Sequence, residues 1–141
     1  MNSDKQIAYD YLLSFVGRFY KWGGDDPSGV DCSGLVVEFL QAFGVIPHGR
    51  DFSAQSLHDT LIHSPTSPIG FGSILFWGLS NKQITHVTIA LSKNIMIGAE
   101  GGGSKTLTLD DAIKQNAFVK IRPIRYRGVP VATIFPNYKW E

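Results

Sequence analysis

A chain of 141 residues, 43% hydrophobic and 18% charged, has enough apolar material for one packed core and too much for a disordered segment. A net charge of +1 at pH 7 provides no field for a long polyanion, which argues against a nucleic-acid partner. One cysteine excludes an internal disulfide, and no apolar run approaches the ~20 residues that span a bilayer, so no membrane partner is expected. The first residues, Met1 to Gln6, hold no basic segment followed by an apolar one. No signal peptide is visible there, and the chain is expected to begin in a cytoplasm. Phage lysis, a virion or non-classical export would have to carry it elsewhere.

Ser3 with Gln6 resembles a capping box. Ile7, Tyr11, Leu12, Phe15, Val16 and Phe19 then give one apolar helical face, ending near Gly17 to Phe19. The loop from Tyr20 to Gly29 carries paired glycines, Asp25, Asp26 and Pro27, with aromatics on its flank. Its glycines match neither phosphate-binding fingerprint, and no strand precedes them. Asp31 is a natural N-cap. Behind it Cys32, Leu35, Val36, Phe39, Leu40 and Phe43 recur at helical spacing, with Gly44 as a stop. Residues Val45 to Phe52 read as a loop, and Ser53 caps a shorter helix with Ala54, Leu57 and Leu61 inward. Ser64-Pro65-Thr66-Ser67-Pro68 breaks it.

The period then changes. Strands are expected from Ser73 to Trp77, Thr85 to Leu91, Ile95 to Glu100, Phe118 to Pro123 and Val131 to Phe135. Gly101 to Gly103 ends the third, and a short helix runs from a Thr108 cap to about Gln115. Helices first and hairpin-linked strands afterwards imply a single α+β domain over residues 1–141, with a mostly antiparallel sheet.

Cys32 is the chemically pointed residue. A lone cysteine is usually a small core hydrophobe. One in the first turn of a helix, behind a polar cap and a glycine-rich loop, reads better as a nucleophile. The helix dipole and the free N–H groups there are expected to lower the thiol pKa and populate thiolate. Such a nucleophile needs an imidazole to take and return its proton. His48, His58 and His63 read as solvated or locally bonded side chains, and the five-residue step between His58 and His63 suits no metal site. No metal or other cofactor is expected. His86 begins a strand whose opposite face, Val87, Ile89 and Leu91, is apolar, while its own face carries Thr88 and Ala90, small enough to leave room beside the ring. Spacing alone does not bring it to Cys32.

Taken together, Tyr20-Lys21-Trp22-Gly23-Gly24, Pro27, Asp31-Cys32-Ser33-Gly34-Leu35-Val36, Gly72-Ser73-Ile74-Leu75-Phe76-Trp77 and His86-Val87-Thr88-Ile89-Ala90-Leu91 resemble the NlpC/p60 superfamily of cell-wall cysteine peptidases. The order, cysteine before histidine, is that of the peptidase branch rather than of its permuted acyltransferase relatives. The resemblance implies a papain-like α+β fold with N-terminal helices packed on the sheet. It implies hydrolysis of amide bonds in peptidoglycan stem peptides, most often between D-glutamate and a diamino acid. Cys32 would be the nucleophile and His86 the general base and then acid. Tyr20 would line the site and help hold the oxyanion, beside the Cys32 backbone N–H. Asp31, Ser33 and Trp22 would meet the stem peptide, although Asp31 is equally a pure helix cap. Peptidoglycan or a muropeptide is the implied partner, with phage or secretion-system components as carriers of so small a domain.

Two departures stand out. At the position where relatives carry a polar residue that orients the histidine, this chain has Gly98. Glu100 follows on the same strand face and is the candidate third residue. A strand-end glutamate in water, with a backbone carbonyl or a water orienting the ring, is the other reading. Ser73 stands where relatives carry aspartate, a matter of local turn geometry. Arg50, Ser53 and Gln55 resemble an Arg-x-Ser-x-Gln segment with one residue too many and are left outside the site. A wall-associated or phage-tail structural module with a vestigial site, or a related amidase or acyltransferase, are the competing functions.

Overall fold

The computed structural model describes residues 2–26, 29–64 and 68–140. Pro27, and residues 65–67 of the expected break, lie outside them. The elements in chain order are helix α1 (Ser3–Leu13), a two-residue hairpin of β1 (Asp25–Asp26) and β2 (Gly29–Val30), α2 (Cys32–Ala42) and α3 (Ala54–Leu61). Strands β3 (Ile74–Ser80), β4 (Gln83–Ala90) and β5 (Ile95–Glu100) follow, then α4 (Leu109–Gln115), β6 (Phe118–Pro123), a 3-10 turn (Ile124–Arg127) and β7 (Ala132–Ile134). The five-stranded sheet has the order β6-β5-β4-β3-β7, and every neighbouring pair is antiparallel. This is the expected α+β architecture.

The alternation of the strands builds two cores. Ile74, Phe76, Val87, Ile89 and Ile97 face the helices and pack with Leu35, Val36, Phe39 and Leu40 of α2. On the other face Leu75, Trp77, Ala90 and Met96 close against Ile124 of the 3-10 turn. The C-terminal tail seals the first core. The Tyr138 and Trp140 rings stack at 3.9 Å, and the Tyr138 hydroxyl donates to the Gly72 carbonyl at 2.5 Å. A phenol so deep inside the protein would be costly without that bond.

Helix α1 departs from expectation at both ends. Its cap is Asn2, whose side chain accepts from the Lys5 N–H at 2.7 Å. It stops at Leu13, because the following turn is tied to the sheet: the Gly17 N–H donates to the Val119 carbonyl. Its buried face is Ala8 and Leu12, Phe15 is buried just beyond its end, and Ile7 is exposed. Helices α2, α3 and α4 begin on the caps anticipated for them, Asp31, Ser53 and Thr108.

Candidate active site

Helix α2 is buried along most of its length, so its first turn is fixed against the sheet. Asp31 sets that turn. One carboxylate oxygen accepts from the Gly34 N–H at 2.7 Å and from the Ser33 hydroxyl at 3.3 Å. The other accepts from the Gly23 N–H at 3.0 Å. A cap of this kind stabilises by about 1 kcal/mol, and here it also staples the Gly23-Gly24 loop to the nucleophile's helix. Both oxygens are committed to this framework.

The ladder between β4 and β5 explains where the sulfur goes. It runs only over Ile89–Ile97 and Ala90–Met96. Helix α2 packs against both strands. The backbone N–H groups of Val87 and Ser33 are both directed at the Cys32 sulfur. Cys32 therefore lies against the peptide that follows His86, although the two are 54 positions apart in the chain (86 minus 32).

Cys32 and His86 line one groove of about 450 Å3. Tyr20, Trp22, Asp31 and Ser33 line it too, so the structure brings six of the seven residues singled out from the sequence onto one groove; Glu100 is not among its lining residues. Trp22 is half exposed at its rim. Ser53 and Gln55, which sequence reasoning set aside, also line the groove, with Phe52 between it and a smaller neighbouring cleft. Gln55 ties α3 to β4 through the Ile84 N–H, which donates to its side-chain oxygen at 2.8 Å. Arg50 is not among the lining residues; its guanidinium lies 4.9 Å over the Phe52 ring.

The electrostatics overturn one expectation. Burial, then the neighbouring Asp31 carboxylate, push the Cys32 thiol up to about 11, against the opposing pull of the Val87 and Ser33 N–H groups and of Arg127. Helix-terminus donors are present as anticipated, but they lose to desolvation and to a like charge one residue away. The resting group is a thiol. Since only thiolate alkylates, iodoacetamide labelling of the free protein should quicken roughly tenfold per pH unit between pH 7 and 10. A rate that levels off below pH 8 would show a preformed anion instead. Burial, then the neighbouring Cys32 and Asp31, raise the Tyr20 phenol as well, so Tyr20 stays a hydroxyl donor across this range.

Glu100 does reach the histidine. Its Oε1 lies 3.5 Å from His86 Nε2, a buried contact longer than a hydrogen bond, and its Oε2 accepts from Arg127 Nη2 at 2.6 Å. Burial alone would raise this carboxyl. The His86 and Arg127 contacts outweigh it and bring the pKa from 4.5 to about 2. Glu100 is thus ionised at neutral pH and is not the solvated strand end of the alternative reading: its side chain is 3% exposed. With Nε2 turned to Glu100, Nδ1 is the ring nitrogen left for a second partner. The room expected beside the imidazole on its own strand face is absent further along. Trp77 Nε1 donates to Thr88 Oγ1 at 3.0 Å, and Met96 closes over the same hydroxyl.

The remaining histidines lie away from the groove's lining. His58 is buried, with Nδ1 2.9 Å from Asp59 and Nε2 2.9 Å from Asn81, while His48 and His63 are exposed. Among the described residues no group of three His, Cys, Asp or Glu side chains could hold a metal ion. Ser73 is buried and its hydroxyl accepts from the Gly70 N–H at 3.1 Å, the turn role anticipated for it.

A family model described as the NlpC/P60 family matches residues 17–123. Protein P54 of Enterococcus faecium is 35% identical over 97 residues, 68% of this chain and 17% of its own length. The probable endopeptidase p60 of Listeria innocua is 33% identical over 91 residues, 64% of this chain and 18% of its own length. The chain therefore spans less than a fifth of these two curated relatives. Among solved structures, the NlpC/p60 domain of the peptidoglycan hydrolase SagA aligns over 95% of this chain and 98% of its own, with a TM-score of 0.59 and 25% identity. NlpC1 from Trichomonas vaginalis aligns over 96% of this chain and 45% of its own at a TM-score of 0.68 and 20% identity, a likeness of fold.

Proposed function

Because the chain belongs to the NlpC/P60 family, we propose that it is a cysteine endopeptidase acting on peptidoglycan stem peptides, at the amide between a γ-linked D-glutamate and a diamino acid. The observation that carries this reading is the position of the Cys32 sulfur, held by the N–H of Val87 at the strand position next to His86, on a groove both residues line. The names of its relatives, a peptidoglycan hydrolase and a probable endopeptidase, supply the substrate class.

The chemistry follows from the protonation states. Cys32 Sγ attacks the scissile carbonyl carbon as its proton passes to His86 Nδ1, since the resting group is a thiol. The carbonyl oxygen becomes an oxyanion that accepts from the Cys32 N–H and the Tyr20 hydroxyl, a donor kept protonated by its surroundings. His86 returns the proton to the leaving nitrogen, the C–N bond breaks and a thioester remains. Water then attacks that thioester, giving one proton to His86. The C–S bond breaks, His86 re-protonates the sulfur, and the free carboxylic acid leaves. Glu100 keeps the ring turned and stabilises the imidazolium formed twice in this cycle. Trp22 and Ser33 flank the bound peptide.

Gly98, the feature that favoured an inactive wall-binding module, is offset by Glu100, which brings a carboxylate to the same imidazole. Mass spectrometry of a purified muropeptide digest tests the proposal. Paired products whose masses sum to substrate plus one water, cut after γ-D-glutamate, are expected. Intact muropeptides together with turnover of simple acyl esters would replace it with acyl transfer, and no turnover of either would end it.

A further inference from the structure

Arg127 belongs to no motif of the sequence, yet it is the one described cation in direct contact with the site's buried carboxylate. It closes the 3-10 turn Ile124–Arg127, which is fastened to the sheet at its first residue: the Ile124 N–H donates to the Asn94 carbonyl at 2.9 Å, and the Ile124 side chain is part of the second core. The turn therefore presents Arg127 from a fixed base. Its side chain is 30% exposed, while Glu100 beneath it is 3% exposed.

The strand below is shaped to receive this pair. A Cβ on Gly98 would come within 2.7 Å of Thr88 Cγ2 and 3.4 Å of Glu100 Oε1. Thr88 is β-branched and held by Trp77, so it does not yield easily. A side chain at position 98 would therefore crowd Thr88, while its first carbon would sit in ordinary contact with Glu100 Oε1. Glycine at 98, glutamate two residues on and an arginine facing it form one arrangement.

Resting on the peptidase reading above, we propose that Arg127 is a positioning residue for the reaction: it fixes the Glu100 carboxylate, which in turn orients the His86 imidazole toward Cys32. A carboxylate on a strand could rotate about its own side-chain bonds. The guanidinium bond to Oε2 leaves Oε1 as the oxygen that meets Nε2, and the charge keeps a desolvated carboxyl ionised. Among the described residues, the titratable groups that face Glu100 are His86 from β4 and Arg127 from the turn.

The test is a pair of single variants and a cycle, read on muropeptide turnover and on iodoacetamide labelling of Cys32. Arg127→Leu should lower kcat about tenfold to a hundredfold, the scale on which loss of an outer partner disables an oriented imidazole, with KM within about twofold. Its kcat/KM should fall away at higher pH on the acid side than in the parent, since the buried carboxyl no longer has the guanidinium to hold it low. Arg127→Lys should recover most of the rate. If the arginine acts through the carboxylate, Arg127→Leu added to Glu100→Gln should cost nothing beyond Glu100→Gln alone. That double variant also removes the unpaired charge that could unfold the single one. Unchanged kcat and unchanged acid limb in Arg127→Leu, or full additivity in the cycle, would overturn the proposal. Should the parent cleave no muropeptide, the peptidase reading fails on its own, and labelling still decides: slowing by Arg127→Leu that is larger in the parent than on the Glu100→Gln background supports the chain of contacts, and equal slowing on both, which the guanidinium's direct pull on the sulfur gives by itself, refutes it.

Discussion

Cys32→Ala is expected to lower stem-peptide cleavage by about 10⁴-fold or more while the protein stays folded. The magnitude is that of removing a nucleophile whose base has nothing else to activate. The fold survives because the change is small. The methyl group of alanine stays in the first turn of α2, and the Asp31 cap, made to the Gly34 N–H, does not involve the cysteine side chain. What is lost is a sulfur that accepts from the Val87 and Ser33 N–H groups, a stability change expected within about 1 kcal/mol. The variant should still bind muropeptide, because Trp22, Ser33, Phe52 and Gln55 of the groove are untouched. Steady-state turnover, thermal unfolding and equilibrium binding together check the prediction. A folded Cys32→Ala protein that cleaves at the parental rate would remove the acyl-enzyme from consideration. Cys32→Ser should be nearly as inactive, since a hydroxyl is a far weaker nucleophile beside the same imidazole.

What the sequence made legible, and what it hid, follows from range. The α2 helix was readable because its cap, its apolar spacing and its terminal glycine all lie within the short stretch from Asp31 to Gly44. The β4 strand was readable by alternation, and β5 by the glycines that end it. The β1–β2 hairpin was not, since two residues per strand have no period. The Asn2 cap was missed because Ser3 and Gln6 offered a better local pattern, while the chain's actual first turn is closed by a bond from Lys5. The groove's membership was legible through the Asp31-Cys32-Ser33 and His86-Val87 blocks. The thiol's protonation was not: it depends on how deeply the first turn is buried, and no local pattern reports depth. Arg127 was invisible for a related reason. It meets Glu100 across 27 positions, from a turn whose sequence carries no signal except an excess of arginine.

Gly34→Ala is expected to damage stability and activity together, and for one steric reason. In an ordinary helix interior, alanine is better than glycine by about 1 kcal/mol. At this position a Cβ would overlap the Gly24 carbonyl oxygen and come within 2.9 Å of the Asp31 carboxylate oxygen that caps the helix. Neither neighbour is the free end of a flexible side chain. The Gly24 backbone is held at both polar groups, its N–H by the Lys21 carbonyl and its carbonyl by the Asp31 N–H. Relief therefore requires the loop to lift from α2, or the cap to break, or both. Overpacking of this kind costs roughly 1–3 kcal/mol, which outweighs the propensity gain. A net loss near 2 kcal/mol would lower the unfolding midpoint by about 4–8 °C for a chain of this size. Activity should fall further than stability accounts for. The lifted segment carries Trp22 and Gly23 on the groove, and the disturbed turn carries Cys32 itself; a displacement near 1 Å at a reacting group costs on the order of a hundredfold. Gly70→Ala, where a Cβ meets nothing within 4 Å, is the matched control and should leave the midpoint unchanged or slightly raised. Urea titration and kcat on the two variants separate the outcomes. Equal stability of Gly34→Ala and Gly70→Ala would mean that the loop is not clamped to the nucleophile's helix, and that Asp31 caps the turn without holding the groove wall against it.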